Sequence, residues 1–387
     1  MDTEENHFIY LTRETMNRKV TLEGLFGEEE TYEFDKLWDF DVDFYGLDTL
    51  IVQPQYWHNE FIEFINKKHI ECLYLTDRLI GAFYEEELDK YKTFTDLSFL
   101  KDVPHLKCFK MDALPPFFGD PIIDIEDYTA IESLRKLEYL SVPDSGDKPV
   151  FVDIDFSKLK QLKKVNLQFP QGNVSLYECI NLESIDTRYY EKNFTALDKL
   201  QKLNFIGAYC DNLESFEGMI KLSNLEDMKL ETTSSIKELK DLHSETVRIF
   251  YLYTEQASKL KSLEGIEGLT AVEHIALNGY KKLESIGSLS RCHTLKTLTF
   301  ENCKVPSDID QLSALKNLEK LTLDDCKEVK SLEFVKKLPN LKYLSFDGDT
   351  KIADGNLEFL KELNNRGVEI YFNDRKHYNI KFKEINN

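Results

Sequence analysis

Leu295-Lys-Thr-Leu298-Thr-Phe300-Glu-Asn-Cys303 is followed, 23 residues on, by Leu318-Glu-Lys-Leu321-Thr-Leu323-Asp-Asp-Cys326. In both, an apolar residue is followed three positions later by a second and two after that by a third. Working outward, the same beat opens at Leu47, Ile70, Leu106, Leu137, Leu162, Leu182, Leu200, Leu225, Val247, Val272, Leu295, Leu318 and Leu341. Thr187 breaks it, in the third slot of the Leu182 unit. A unit of this length cannot bury its own apolar face and must stack on its neighbours, which predicts a solenoid.

Within each unit the alternating core predicts a short strand whose leucines point inward and whose neighbours point outward. Between strands, Leu283-x-x-Ile286-x-x-Leu289 and Val329-x-x-Leu332-x-x-Val335-x-x-Leu338 predict return segments with an apolar face of their own. The expected fold is an α/β solenoid of about thirteen repeats, with a parallel sheet on the concave side of an arc.

This pattern resembles the leucine-rich repeat superfamily. Cys303 and Cys326 stand at that superfamily's Cys-or-Asn position, where a thiol can bond to loop backbone. The spacing is similar to the short, roughly 22-residue class of internalin-like bacterial proteins, which implies a bacterial source. The resemblance runs from about Leu47 to Phe346 and concerns the fold. It says almost nothing about function, since a solenoid hosts whatever its exposed surface carries.

Three segments follow. Residues 1–46 hold 13 acidic and 4 basic side chains yet also buriable aromatics around Trp38, and read as an acidic N-terminal cap. Residues 47–346 are the repeats, irregular with insertions over 76–136 and regular from about residue 225. Residues 347–387 read as a C-terminal cap, with a helix Leu357–Leu363 and a last strand Val368–Phe372. Phe83–Leu88 reads as a helical excursion. Leu114-Pro115-Pro116-Phe117-Phe118-Gly119-Asp120-Pro121 reads as a loop, since paired prolines stop a helix.

The chain carries 49 basic and 70 acidic side chains, a net charge of −21 and a mean hydropathy of −0.42. Such a charge repels phosphate backbones and anionic membranes, so neither nucleic acid nor membrane is an expected partner, and a basic protein is. The start Met1-Asp-Thr-Glu-Glu-Asn lacks a secretory pattern, and seven cysteines show no disulfide framework. A cytoplasmic location is expected.

Reading outward positions across the repeats gives two candidate partner-binding clusters. Arg188, Tyr189, Ile249, Tyr251, Tyr253 and His274 form a patch of aromatic, aliphatic and basic groups. Glu231, Glu301, Asp324 and Asp347 form an acidic ridge, with Asp325 beside it. Tyr and Arg anchor protein interfaces by combining large contact area with polar reach. The middle outward column runs Ile51, Tyr74, Lys110, Ser141, Asn166, Asp186, Asn204, Lys229, Tyr251, and Ile206 falls in the column after it.

Cys72 and Cys108 fall at matching outward positions, a pair able to oxidise, although no His or second Cys pair completes a zinc set. No H-E-x-x-H, G-x-S-x-G, Walker loop or G-x-G-x-x-G is present. Neither catalytic residues nor a cofactor nor a metal is therefore expected. The function these features point to is a non-catalytic scaffold binding a basic protein on its concave face, as an inhibitor or immunity-type regulator. The alternative is a small-ligand or peptide sensor built on the loop near Pro115.

Overall fold

Each apolar beat becomes a strand of four to six residues followed by a tight return, most often a 3₁₀ turn. The computed structural model describes residues 8–11, 20–21, 31–32, 46–54, 57–76, 93–112, 123–125, 127–142, 154–167, 174–232, 235–255 and 258–385. Two units divide the chain, Met1–Leu182 and Glu183–Asn387. The Phe83–Leu88 segment and the Pro115 loop with Phe117 and Phe118 lie outside the described residues.

In the first unit, strands β1 (Phe8–Leu11), β2 (Val20–Thr21) and β3 (Thr31–Tyr32) precede the repeats. Then come β4 (Thr49–Val52), helix α1 (Glu60–Lys68), β5 (Cys72–Thr76), β6 (Cys108–Asp112), β7 (Tyr139–Val142) and β8 (Lys164–Leu167). Strands β4 to β8 pair in parallel, and β1 runs antiparallel along the other edge of β4. Helix α1 takes the place of a 3₁₀ return and buries Phe61 and Ile65. It ends where His69 turns left-handed (φ 53°), which lets the Ile70 N–H close on the Ile65 carbonyl at 3.0 Å.

The second unit holds β9 (Ser184–Tyr189), β10 (Phe205–Cys210), β11 (Asp227–Thr232), β12 (Ile249–Tyr253), β13 (His274–Asn278), β14 (Thr297–Glu301) and β15 (Lys320–Asp324). After these come β16 (Glu328–Val329), β17 (Tyr343–Phe346), β18 (Lys351–Ile352), helix α2 (Leu360–Asn365) and β19 (Glu369–Phe372). Strands β9 to β15, β17 and β19 form a parallel ladder, while β16 and β18 pair separately. The parallel repeats thus run one strand past the Leu341 unit. There the helix lies later than the expected Leu357–Leu363, running over Leu360–Asn365.

Strand register sets the core. One inward row reads Ile185, Ile206, Met228, Phe250, Ile275, Leu298, Leu321, Leu344 and Ile370, each buried. The partners Phe205↔Ser184 and Phe205↔Asp227 correct one unit's phase. That unit opens at Leu203, not Leu200, so Ile206 is a core residue (2% exposed) and Asn204 lies ahead of the strand. Gly207 and Tyr209 take the outward positions instead. Both frames satisfy the apolar beat, and pairing to both neighbours selects the later one.

A second ladder runs through the residue after each opening apolar residue. Backbone bonds link Glu273 N–H to Arg248 O (2.8 Å), Lys296 to Glu273 (2.8 Å), Glu319 to Lys296 (2.8 Å) and Lys342 to Glu319 (2.8 Å). The side chains alternate in charge, and Lys296 pairs with Glu273 (2.6 Å) and Lys342 with Glu319 (2.8 Å). The same alternation pairs Lys107 with Glu71 (2.8 Å) in the first unit. Such exposed pairs contribute little each, but like charges at this spacing would repel.

The Cys positions work as the resemblance implies. Cys303 Sγ accepts the Tyr280 N–H (3.4 Å) and meets the Leu277 carbonyl (3.4 Å). Cys326 Sγ meets the Phe300 carbonyl at 3.4 Å. Repeats stack so closely that a Cβ on Gly279 would sit 1.8 Å from the Thr254 carbonyl oxygen, at a φ of 88° that glycine alone adopts without strain.

Candidate functional site

On the face of the second unit's sheet that points away from the core, three columns of side chains stand on β9 to β12. Reading across the strands, they are Ser184, Phe205, Asp227, Ile249; then Asp186, Gly207, Lys229, Tyr251; then Arg188, Tyr209, Glu231, Tyr253. Parallel pairing without a bulge puts these residues side by side at sheet spacing.

Arg188 is the anchor. Its Nε donates to Asp211 Oδ2 at 2.8 Å and its Nη2 to Oδ1 at 3.0 Å, a two-pronged bond. The guanidinium carbon lies 4.9 Å from the Tyr209 ring centre and 5.8 Å from that of Tyr190. The hydrogen bond to Asp211 raises the Arg188 pKa further, so the group is charged at every accessible pH. Neither Tyr209, Tyr190 nor Asp211 figured in the expected patch. Tyr209 was displaced by the phase error, and Asp211 lies in the turn after β10, outside the strand columns.

Tyr189 is not on this face. It follows Arg188 along β9, so alternation turns it inward, and it is 2% exposed. Its hydroxyl donates to the Asn193 carbonyl (2.6 Å) and its ring stacks on Phe194 at 5.5 Å. The remaining patch members keep their places. Tyr251 is 40% exposed, and Ile249 and His274 are half-buried register partners. Tyr253 donates its hydroxyl to Glu255 Oε1 at 2.8 Å, and that bond pushes its phenol up to about 12.

Between these rings sit carboxylates that burial disfavours. Desolvation raises the pKa of Asp186, Asp227 and Glu231; Lys229 partly opposes it for the two aspartates, and Glu255 adds to it for Glu231. Lys229 Nζ lies 3.4 Å from Asp227, 5.4 Å from the Phe205 ring centre and 5.6 Å from that of Tyr251.

The acidic ridge continues past β13. Glu301 is exposed and pairs in register with Asp324. Asp324 is half-buried and accepts the Ser345 hydroxyl (2.9 Å) and the Asp347 N–H (3.1 Å), so part of its charge is committed within the chain. Asp347 is exposed, and Asp325, left-handed at φ 53°, accepts the Asp349 N–H at 2.8 Å. A further cluster escaped sequence reading: Lys320 Nζ lies 4.6 Å from the Tyr343 ring centre, and Tyr343 packs at 5.4 Å on Tyr371, itself 46% exposed.

The first unit offers a different surface. Thr49, Ile51, Cys72, Tyr74, Thr76 and Cys108 stand on outward positions of β4 to β6, and Gln53 directly follows β4, yet all are buried. Cys72 and Cys108 are register partners packed with Leu47 and Tyr139, so neither thiol is open to solvent. Ile51 and Tyr74 are therefore removed from the expected exposed column.

No protein-family model and no curated protein matches the chain. Solved structures do. An internalin (inlF) from Listeria monocytogenes aligns at 12% identity with a TM-score of 0.48, over 80% of this chain and 84% of its own. A leucine-rich-repeat protein of Leptospira interrogans aligns at 14% identity and TM-score 0.40, over 82% and 92%. InlJ from Listeria monocytogenes aligns at 14% identity and TM-score 0.40, over 72% and 60%. By its own strand-and-return geometry, with buried leucine rows and Cys positions bonded to the backbone of the preceding repeat, the chain folds as an α/β leucine-rich-repeat solenoid. No helix among the described residues is long and apolar enough to cross a membrane.

Proposed function

We propose that the protein is a non-catalytic scaffold that binds a basic protein on the open face of β9 to β12 and the acidic ridge beside it, as an inhibitor or immunity-type regulator. The observation that carries this reading is the mixture on that face. Tyrosine and phenylalanine rings supply contact area, and half-buried Asp186, Asp227 and Glu231 gain from a cation that displaces water. The net charge of −21 draws such a partner in and sets a steep dependence on salt.

The test compares wild type with Tyr251→Ala/Tyr253→Ala as bait in the source organism's lysate, at low and high salt. A basic protein held by wild type at low salt, released at high salt and lost from the double variant supports the reading. Equal capture by both proteins defeats it.

A further inference from the structure

We propose that Asp186, laid over Gly207 on the open face of the second unit, seats an arginine side chain presented by the basic partner. This rests on the reading of that face as the binding surface and assigns its central contact.

Gly207 is the register partner of Asp186 on one side and of Lys229 on the other. No side chain rises there, and the Asp186 carboxylate leans into the space. A Cβ at residue 207 would meet Asp186 Cγ and Oδ1 at 2.9 Å and the edge of the Phe205 ring at 3.1 Å. The carboxylate thus fills the notch left by the missing side chain at residue 207, which the Phe205 ring edge also borders. Among the described residues it accepts no hydrogen bond and makes no ion pair, burial raises its pKa, and Lys229 opposes that only in part. Asp227 Oδ1, in the neighbouring column, is buried with no hydrogen-bond partner. Among the described residues Asp186 therefore has no ion-pair partner, and Lys229, one strand beyond Gly207, already pairs with Asp227 on this half-buried strip with Phe205, Tyr209 and Tyr251. Desolvated carboxylates are costly until donors reach them.

A guanidinium meets this demand better than an ammonium. Its planar fork reaches two carboxylate oxygens at once and its face lies against an aromatic ring. The chain builds the same arrangement one column away, where Arg188 forks onto Asp211 between Tyr209 and Tyr190. At Asp186 the carboxylate and rings recur and the arginine has to come from outside. A hard divalent cation would need six or more oxygens, where this strip offers rings.

The test measures binding of hexa-arginine and hexa-lysine peptides to the full chain by calorimetry, for wild type, Asp186→Asn, Gly207→Ala and Glu264→Gln, the last an exposed carboxylate in the return before β13. Gly207→Ala keeps the net charge and pushes the carboxylate off its seat, so it separates geometry from charge. Wild type should favour hexa-arginine by roughly tenfold, the worth of a charge-assisted fork. Asp186→Asn and Gly207→Ala should erase that preference while leaving hexa-lysine affinity within about twofold, and Glu264→Gln should leave the preference intact. If wild type binds neither peptide, the basic-partner reading falls and this inference with it. If wild type binds both equally, or its preference survives Asp186→Asn, the inference alone is overturned. Asp186→Asn is isosteric and removes a desolvated charge, so it decides the matter even where Gly207→Ala fails to fold.

Discussion

Arg188 and Asp211 close a fork across one repeat, Nε to Oδ2 at 2.8 Å and Nη2 to Oδ1 at 3.0 Å, with the Tyr209 ring beneath the guanidinium. Lysine cannot copy a two-pronged bond, so Arg188→Lys is not conservative here. A double-mutant cycle of Arg188→Lys with Asp211→Asn should give a coupling of about 0.5–1 kcal/mol, modest because both side chains reach solvent. Chemical denaturation of the four proteins measures it. A coupling of zero would mean that the fork does not restrain Arg188.

The core and the face should separate cleanly. Leu298 lies in the inward row with no exposed surface, and Leu298→Ala should cost about 2–5 kcal/mol through the cavity it leaves. Tyr251, 40% exposed, should shift the unfolding midpoint by far less on truncation to Ala while weakening partner capture. The two melting curves, read beside the capture assay, test both halves. A Tyr251→Ala protein as unstable as Leu298→Ala would make the tyrosine structural.

The inward rows were legible because burial forces a periodic pattern on the residues that fill it, and Leu298, Leu321 and Leu344 repeat with little variation. Phase was legible only where one frame fits. Leu200-x-x-Leu203-x-Phe205 and Leu203-x-x-Ile206-x-Ala208 both carry the beat, and neighbouring strands choose between them. Unit spacing held the clue: openings at Leu182, Leu203 and Leu225 are nearly even, whereas Leu200 makes them uneven. From that one slip Gly207 and Tyr209 vanished from the face, and with them the seat of Asp186. Asp211 was hidden for another reason, since a turn residue obeys no strand alternation. Tyr189 failed in the opposite direction, through an aromatic counted as surface although its neighbour Arg188 already held the outward position.

The thiols should be inert in the folded protein. All seven cysteines are buried. Desolvation pushes Cys303 up to about 11 and Cys326, Cys292 and Cys179 up to about 12, far from the thiolate form that reacts. Ellman's reagent at about pH 8 should label native protein slowly and unfolded protein fully. Fast labelling of Cys72 or Cys108 in native protein, located by mass spectrometry, would show that Leu47 and Tyr139 do not shield the pair.

The pH dependence of stability should carry two opposite signs within the second unit. Burial raises the pKa of Asp186 above its ordinary 3.8, so at neutral pH the folded state carries a charge it disfavours. That penalty is complete above the folded pKa, shrinks as pH falls through it, and is gone below the unfolded value. Asp186→Asn should therefore melt higher than wild type at pH 7 and converge with it near about pH 3.5. For Glu273 the hydrogen bond from Lys296 lowers the pKa, so that contribution is present above the ordinary 4.5 and lost as pH falls through the folded value. Lys296→Met should accordingly melt lower than wild type at pH 7 and match it in acid, with the difference shrinking in high salt. Melting curves at several pH values for the three proteins decide both. A carboxylate kept where its charge weakens the fold fits a group whose partner lies outside the chain, and an Asp186→Asn protein less stable than wild type at pH 7 would remove that argument.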